Sequence, residues 1–369
     1  MIYLDNAATT KPCAECVKAV NAAMENTFGN ASSLHGLGTV SIQTIARARK
    51  TLLAEVTGTK RPFDGEVLFT SGATESNNTA LLGSAHRFRP QGKRIVSTAV
   101  EHPSVAKTLA RLEEDGFEAV RLSPKDHEDF VAALVDAVDE NTVLLSAMAV
   151  NNETGFAIDV PRLYREVKRK NPRTVVHIDA VQGFLKVPLD GDLISVSGHK
   201  IHSTKGIGAL FIKKGAKVLP LLSGGGQQGG LRSGTEPVEL IAGFEAAVNA
   251  YRFDKERFAE LKARLLERLA ETEDIGINST EECLPNIVNF SVRGVRSEIM
   301  LHSLEEDGIY VSSGSACSKG KKSDVLPAFG VSENDVDCAV RVSFCAENSV
   351  EDVEKLCDKI AKTIERIRR

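Results

Sequence analysis

Val175-Val-His-Ile-Asp-Ala-Val-Gln182, followed at Leu193 by Leu-Ile-Ser-Val-Ser-Gly-His-Lys200, sets two short apolar runs one after the other, each ending in polar, chemically capable residues. Runs that are apolar without alternation read as strands buried on both faces of a sheet. Open α/β sheets bind ligands outside the carboxyl ends of such strands. The stretch therefore predicts a parallel sheet with chemistry at one edge.

Working outward, Glu66-Val-Leu-Phe69, Arg94-Ile-Val-Ser97, Val143-Leu-Leu-Ser146 and Ala209-Leu-Phe-Ile212 read as further strands. Ser71 to Phe88, His102 to Glu114 and Val160 to Lys170 carry helical periodicity between them. Strand and helix in alternation predict βαβ units with helices on both faces of a mostly parallel sheet. Beyond Arg252 the texture changes: a long charged amphipathic helix to about Thr272, a strand at Ile287 to Val292, a helix near Glu298 and a terminal helix from Val350. The expected organisation is a large α/β domain over residues 12–250 and a smaller α+β domain built from residues 1–11 and 251–369.

The 369 residues, 42% hydrophobic and 26% charged, are those of a globular chain that can bury a sizeable core. A net charge of -4 gives no general attraction to nucleic acid or to an anionic membrane. No stretch reaches the ~20 apolar residues of a membrane span, and Met1 to Thr10 lacks a basic start followed by an apolar run, so the reading expects a cytoplasmic protein. Seven cysteines, an odd number, are scattered along the chain and fit reduced thiols better than a disulfide framework. Cys13 and Cys16 form a C-x-x-C, but no second pair stands at metal-ligand spacing, so no metal is expected.

Four segments carry candidate chemistry. Thr70-Ser-Gly-Ala-Thr-Glu75 follows a strand and opens a helix, a place where backbone N–H groups and the Thr74 hydroxyl can hold an anion; a plain glycine turn with a hydroxyl cap is the duller reading. Lys200 at a strand's carboxyl end can form a Schiff base, and Asp179 with Gln182 on the preceding strand supplies the carboxylate a pyridinium nitrogen needs. A glycine-rich run from Ser223 to Thr235 lacks the ending of a nucleotide P-loop. Val311 to Ser323 places Cys317 among serines, glycines and three lysines, a setting that favours the thiolate.

Together these segments resemble the cysteine desulfurases of the class V aminotransferase superfamily, among the fold-type I pyridoxal-phosphate enzymes. Leu4-Asp-Asn-Ala-Ala-Thr-Thr10, Phe28 to Ser33 with His35, Thr70 to Asn77, Glu101-His102, Val150 to Glu153, Ser197 to Lys200, Arg232 to Thr235 and Ser312 to Cys317 occur in the family's order across nearly the whole chain. The resemblance implies a cofactor, pyridoxal 5'-phosphate, linked to Lys200, with Asp179 on its pyridine nitrogen, Gln182 and Asn152 on the ring hydroxyl side and His102 stacked on the ring. It implies phosphate ligands at Ala73, Thr74, Ser197 and His199, with Thr235 donated by a neighbouring subunit of a homodimer. Arg341 would take the substrate carboxylate, Asn30 would lie at the substrate entrance, and Cys317 would accept sulfur from L-cysteine for an iron–sulfur scaffold or a thiolation enzyme.

Two departures stand out: Ser203-Thr204 where Gly-Pro is usual, and Phe344-Cys345 where Leu-Gly is commoner. Selenocysteine lyase, an aminotransferase of the same fold, and an inactive cofactor-binding scaffold are the alternatives. The identity of the sulfur acceptor is not legible.

Overall fold

Along the predicted strands, neighbouring apolar residues point to opposite faces, and both faces must then be covered. The computed structural model of the protein describes residues 1–56, 63–313 and 323–368 and has that construction. In chain order its first half contains β1 (Ile2–Tyr3), α1 (Ala14–Asn26), α2 (Gly36–Glu55), β2 (Gly65–Thr70), α3 (Ala73–Phe88), β3 (Arg94–Thr98), α4 (Pro103–Glu114), β4 (Glu118–Leu122), α5 (Phe130–Asp136), β5 (Thr142–Met148), α6 (Val160–Lys170) and β6 (Val175–Asp179). The second contains β7 (Leu193–Ser197), β8 (Gly208–Lys213), α7 (Val238–Ala250), α8 (Lys255–Ala270), β9 (Ile275–Ile277), β10 (Ile287–Val292), α9 (Ser297–Glu306), β11 (Ile309–Tyr310), β12 (Ser312–Ser313), α10 (Glu333–Val336), β13 (Ala339–Ser343) and α11 (Val350–Arg368).

Seven strands form the large sheet in the order β2-β8-β7-β6-β5-β3-β4, with β8 alone antiparallel to its neighbours. Val67, Phe69, Val96, Leu145, Val176, Ile194 and Phe211 face one core, and their neighbours Leu68, Ile95, Leu144, Val175, Leu193 and Leu210 face another. Leu81, Leu82, Leu109 and Leu112 of α3 and α4 cover the second face. Ile45, Leu52, Leu134, Leu163, Ile241 and Phe244 from α2, α5, α6 and α7 cover the first. The α/β expectation is borne out, and each of the six strands read from sequence before Arg252 is present in this sheet.

The differences have local causes. The helix expected from Ser71, α3, begins at Ala73, because Gly72, at φ +152°, breaks the chain direction before it. The amphipathic helix starts at Lys255, where Asp254 accepts from the Arg257 backbone N–H at 3.0 Å and caps it. The α2 helix and the edge strand β4 had no expectation attached; β4 is half-exposed and short of the apolar pattern that marks a central strand.

A second, antiparallel sheet runs β12-β13-β10-β9. Its core joins Phe290, Val340 and Val342 to Leu261 and Leu265 of α8 and to Leu356 and Ile360 of α11. The chain start belongs to this region: Ile2 and Tyr3 pair in parallel with Ile309 and Tyr310, and Leu4 is buried in the same core.

Candidate active site

Strands β2, β3, β5, β6 and β7 run the same way, so Thr70, Thr98, Met148, Asp179 and Ser197 all end at one edge of the sheet. The antiparallel β8 starts there, with Gly208 in register with both Thr70 and Ser197. A Cβ on Gly208 would come within 2.7 Å of the Gly72 Cα, so glycine at 208 lets the turn into α3 lie against the sheet. Gly72 caps α3 without any side-chain hydrogen bond, and a Cβ built on it would meet only the Ser197 Oγ, at 4.0 Å. The first N–H groups of a helix are unpaired within it, and here they stand at an uncrowded turn beside a serine hydroxyl, which fits a phosphate group. Thr74 is exposed and Ala73 half-buried at this turn. Glu75 is occupied, accepting from the Ser71 N–H at 2.8 Å and from the Arg232 Nε at 2.9 Å. That ion pair ties the glycine-rich segment to the same turn, with the Thr235 side chain exposed beyond it.

Asp179 is buried, where a bare carboxylate would be costly. Its two oxygens accept from the Val181 N–H at 3.0 Å and from the Asn77 amide at 2.8 Å. The other hydrogen of the Asn77 amide goes to the Ser104 Oγ at 2.9 Å, and that hydroxyl lies 2.8 Å from the His102 Nδ1. His102 caps α4, its Nδ1 also accepting from the Ser104 N–H at 3.1 Å, which leaves Nε2 to carry the ring proton. Burial pushes the His102 pKa down; the nearby Asp179 carboxylate opposes this and the Lys200 ammonium adds to it. The ring is thus held neutral, oriented, and close to both groups.

Lys200 follows β7 and donates to the Ala7 and Ala8 carbonyls, both at 2.7 Å. Gln182 is buried and donates to the Ala7 carbonyl at 2.8 Å, so one peptide of the N-terminal segment is held by both. His199 Nδ1 lies 3.1 Å from the Thr9 hydroxyl, and burial, helped by Lys200 and Lys205, lowers its pKa to about 4.

Glu101 is a second buried carboxyl group at this edge. One oxygen accepts from the Thr98 hydroxyl at 2.7 Å and the Met148 N–H at 2.8 Å; the other has no partner among the described residues. Burial raises its pKa to about 8, the Thr98 bond opposing and Asp179 reinforcing the shift.

Arg341, in β13, is only 2% exposed. It donates to the Asp5 carboxylate at 2.6 Å and to the Asn152 carbonyl at 3.0 Å, while its Nε–H has no acceptor. A buried guanidinium with an unused donor fits a ligand carboxylate. Next to Asn152, the Glu153 carboxyl accepts from the Ser323 hydroxyl at 2.6 Å, and burial raises its pKa to about 7 against the opposing effects of Ser323 and Arg341. Ser312 pairs with Arg341 across β12 and β13. Ser312 and Ser323, on either side of 314–322, are thus both tied to this site. Cys317 itself lies outside the described residues.

Lys200, Asp179, Gln182, His102, Ser197, His199, Ala73 and Thr74 gather at the sheet edge, and Arg341 and Asn152 form a neighbouring cluster. Asn30 is not joined to either by any hydrogen bond among the described residues: it is exposed, and its side-chain carbonyl accepts from the Ser32 N–H at 2.8 Å. The sequence reading attached no role to Asn77 or Asp5 and quoted Glu101 and Glu153 only within motifs. Asn77 stands in the polar run Glu75-Ser-Asn-Asn-Thr79, where nothing local sets it apart; only its burial in the fold, which demands partners, marks it.

The aminotransferase class-V family profile matches residues 2–356. A NifS/IcsS protein homolog of Lactobacillus delbrueckii subsp. bulgaricus is 37% identical, over 96% of this chain and 95% of its own. A cysteine desulfurase IscS of Methanosarcina thermophila is 36% identical, over 100% of this chain and 93% of its own. Among solved structures, a NifS-like protein superposes with a TM-score of 0.89 at 33% identity, covering 99% of both chains. DndA of Streptomyces lividans superposes with a TM-score of 0.76 at 34% identity, over 92% of this chain and 99% of its own. Enzymes of this family use pyridoxal phosphate. Profile, full-length relatives and fold agree, and the chain belongs to the class-V aminotransferase family, in its NifS/IscS-like cysteine desulfurase branch.

Proposed function

We infer that this protein is a pyridoxal-phosphate-dependent cysteine desulfurase, converting L-cysteine to L-alanine and passing the sulfur on as a persulfide of Cys317. The observation that carries the reading is the linked set Asp179, Asn77, Ser104 and His102 beside Lys200 at one sheet edge, next to a helix start fit for a phosphate. The cofactor, when bound, supplies a carbonyl for the substrate amine and an electron sink for charge at its α-carbon.

Asp179 would hold the pyridine nitrogen protonated, and its Val181 and Asn77 donors keep its two oxygens aimed. The α3 N-terminus with Ser197, Thr74 and His199 would take the phosphate. Lys200 would carry the α-proton at its Nζ, and Arg341 would receive the substrate carboxylate on its unused Nε–H. The Cys317 thiolate would attack the substrate sulfur: the S–S bond forms as the C–S bond breaks, and the released electron pair stays on the carbon that is protonated to alanine's methyl group. His102, neutral with its proton on Nε2, is suited to deliver a proton in that step.

Asn152 and Gln182 would serve the ring hydroxyl side, Asn30 the entrance, and Thr235 the phosphate of a second subunit in a homodimer. The large domain of residues 12–250 and the small domain of 1–11 with 251–369 are supported by their separate cores. Among the described residues no helix is long and apolar enough to cross a membrane, and we place the protein in the cytoplasm with an iron–sulfur scaffold or thiolation enzyme as acceptor.

The test is alanine formation from L-cysteine with and without reductant. The holoenzyme should be yellow, Lys200→Ala should lose the borohydride-reducible band and at least about 10²–10⁴-fold in rate, and Cys317→Ser should bind cofactor but release no sulfide. Persulfide formation surviving in Cys317→Ser and lost in Cys345→Ser would overturn the sulfur-transfer step.

A further inference from the structure

Behind the N-terminal segment that Lys200 and Gln182 hold is a chamber of about 250 Å³. Ala7, Gln182 and Lys200 line it, while Asp179, His102, Asn152 and Arg341 are absent from its lining. At this size, below the ~300–1,000 Å³ of pockets for drug-sized molecules, it suits a ligand of amino-acid dimensions. Two of its polar groups are left unmatched. Lys186 lines it, and among the described residues its ammonium has no hydrogen bond or ion pair. The Asn286 side chain also lines it; the residue is 6% exposed, and its Oδ1 is buried without a partner. An unpaired buried acceptor and an unpaired amine in one cavity are each costly alone and call for a common ligand.

The backbone supports the same reading. Leu185, immediately before Lys186, has φ +62°, and His202, also in the lining, has φ +63°. Bulky side chains at left-handed dihedrals cost free energy and persist where the surrounding structure enforces them, commonly at ligand sites. Here they turn the chain at two walls of one chamber. The chamber is lined by half-buried Lys186 and Lys200 and by the exposed Glu15, Arg252 and Glu347.

We propose that this chamber binds a small zwitterionic α-amino acid, its carboxylate on Lys186 and its ammonium on the Asn286 Oδ1. If the chain is a desulfurase, the amino acid produced beside this wall is L-alanine, and naming it as the ligand rests on that reading. The Lys186 pKa, lowered to about 7 by burial and by Lys200, accords with an amine that lacks its counter-ion until a carboxylate arrives.

The test uses borohydride-reduced holoenzyme, in which Lys200 is locked to the cofactor, and equilibrium binding of radiolabelled L-alanine. One saturable site should appear, weakened at least about tenfold by Lys186→Met and by Asn286→Leu, the loss expected for one charge-assisted hydrogen bond, and retained in Arg341→Lys. Binding lost in Arg341→Lys but intact in Lys186→Met would assign alanine to the substrate site and overturn the proposal. With wild-type protein alone, propionate, which lacks the ammonium, should compete at least about tenfold more weakly than L-alanine. Equal competition by propionate or by sulfate would reduce the chamber to an anion site, and no binding would refute it outright. Failure of the desulfurase reading shows separately, as absence of alanine formation from cysteine.

Discussion

The Asp179 cluster and the Arg341 cluster both bury charged side chains, but they stabilise them differently. Asp179 is met by neutral donors, a backbone N–H and the Asn77 amide, delivered by the β6 and β2–α3 segments of one sheet. Arg341 is met by an opposite charge, Asp5, from the other end of the chain, 336 residues away. Neutral donors can be removed one at a time at moderate cost. A buried ion pair that loses one partner leaves an uncompensated charge, a far larger penalty. The carboxylate Asp179 is thus held within the repeating units of one sheet, and the guanidinium of Arg341 depends on the chain start returning to β13.

The largest effect that would sharpen this contrast is expected from Arg341→Met, which strands Asp5 and should destabilise the protein by about 3–5 kcal/mol in denaturant titration while raising KM for cysteine. Its partner change, Asp5→Asn, should soften the loss in the double variant, because neither charge is then left alone. An additive double variant would break the account of the pair.

Asn77→Ala should cost less, about 1–3 kcal/mol, since Asp179 loses one of its two donors and Ser104 one bond. The accompanying readout is the visible band of the holoenzyme, which should shift its pH dependence when Asp179 is less well held. An unchanged band with full stability would show that Asn77 positions nothing.

The smallest effect concerns Glu101. A carboxyl whose pKa is raised from the ordinary value of 4.5 to about 8 binds a proton in the folded state that the unfolded chain has released over that interval. Stability contributed by this group therefore falls as pH rises from about 4.5 to 8. Glu101→Gln should flatten that slope, so that relative to wild type its Tm improves by a few degrees between pH 5 and pH 8. Parallel Tm curves would remove the protonated Glu101 from the picture.

What was legible and what was not divides along the same line. The motifs Val175 to Gln182 and Leu193 to Lys200 announced both their strands and their edge, because apolar runs and the residues that follow them are adjacent in sequence. Asn77 and Glu101 were invisible as site residues, since their meaning depends on a neighbour from another βα unit. Helix starts slipped by two or three residues at Gly72 and Asp254 for the same reason that they exist: single turn and cap residues, not periodicity, set them.

By itself the sequence determined the α/β rhythm, the family, and the polar residues that close each strand, because hydrophobic period and strand-end position are local properties repeated along the chain. Only the tertiary structure decided that Asp5 would neutralise Arg341, that Ser104 would relay Asn77 to His102, and that Lys186 and Asn286 would share one chamber. The worth of a polar contact depends on how completely water is excluded around it, and that is settled by which distant segments pack together.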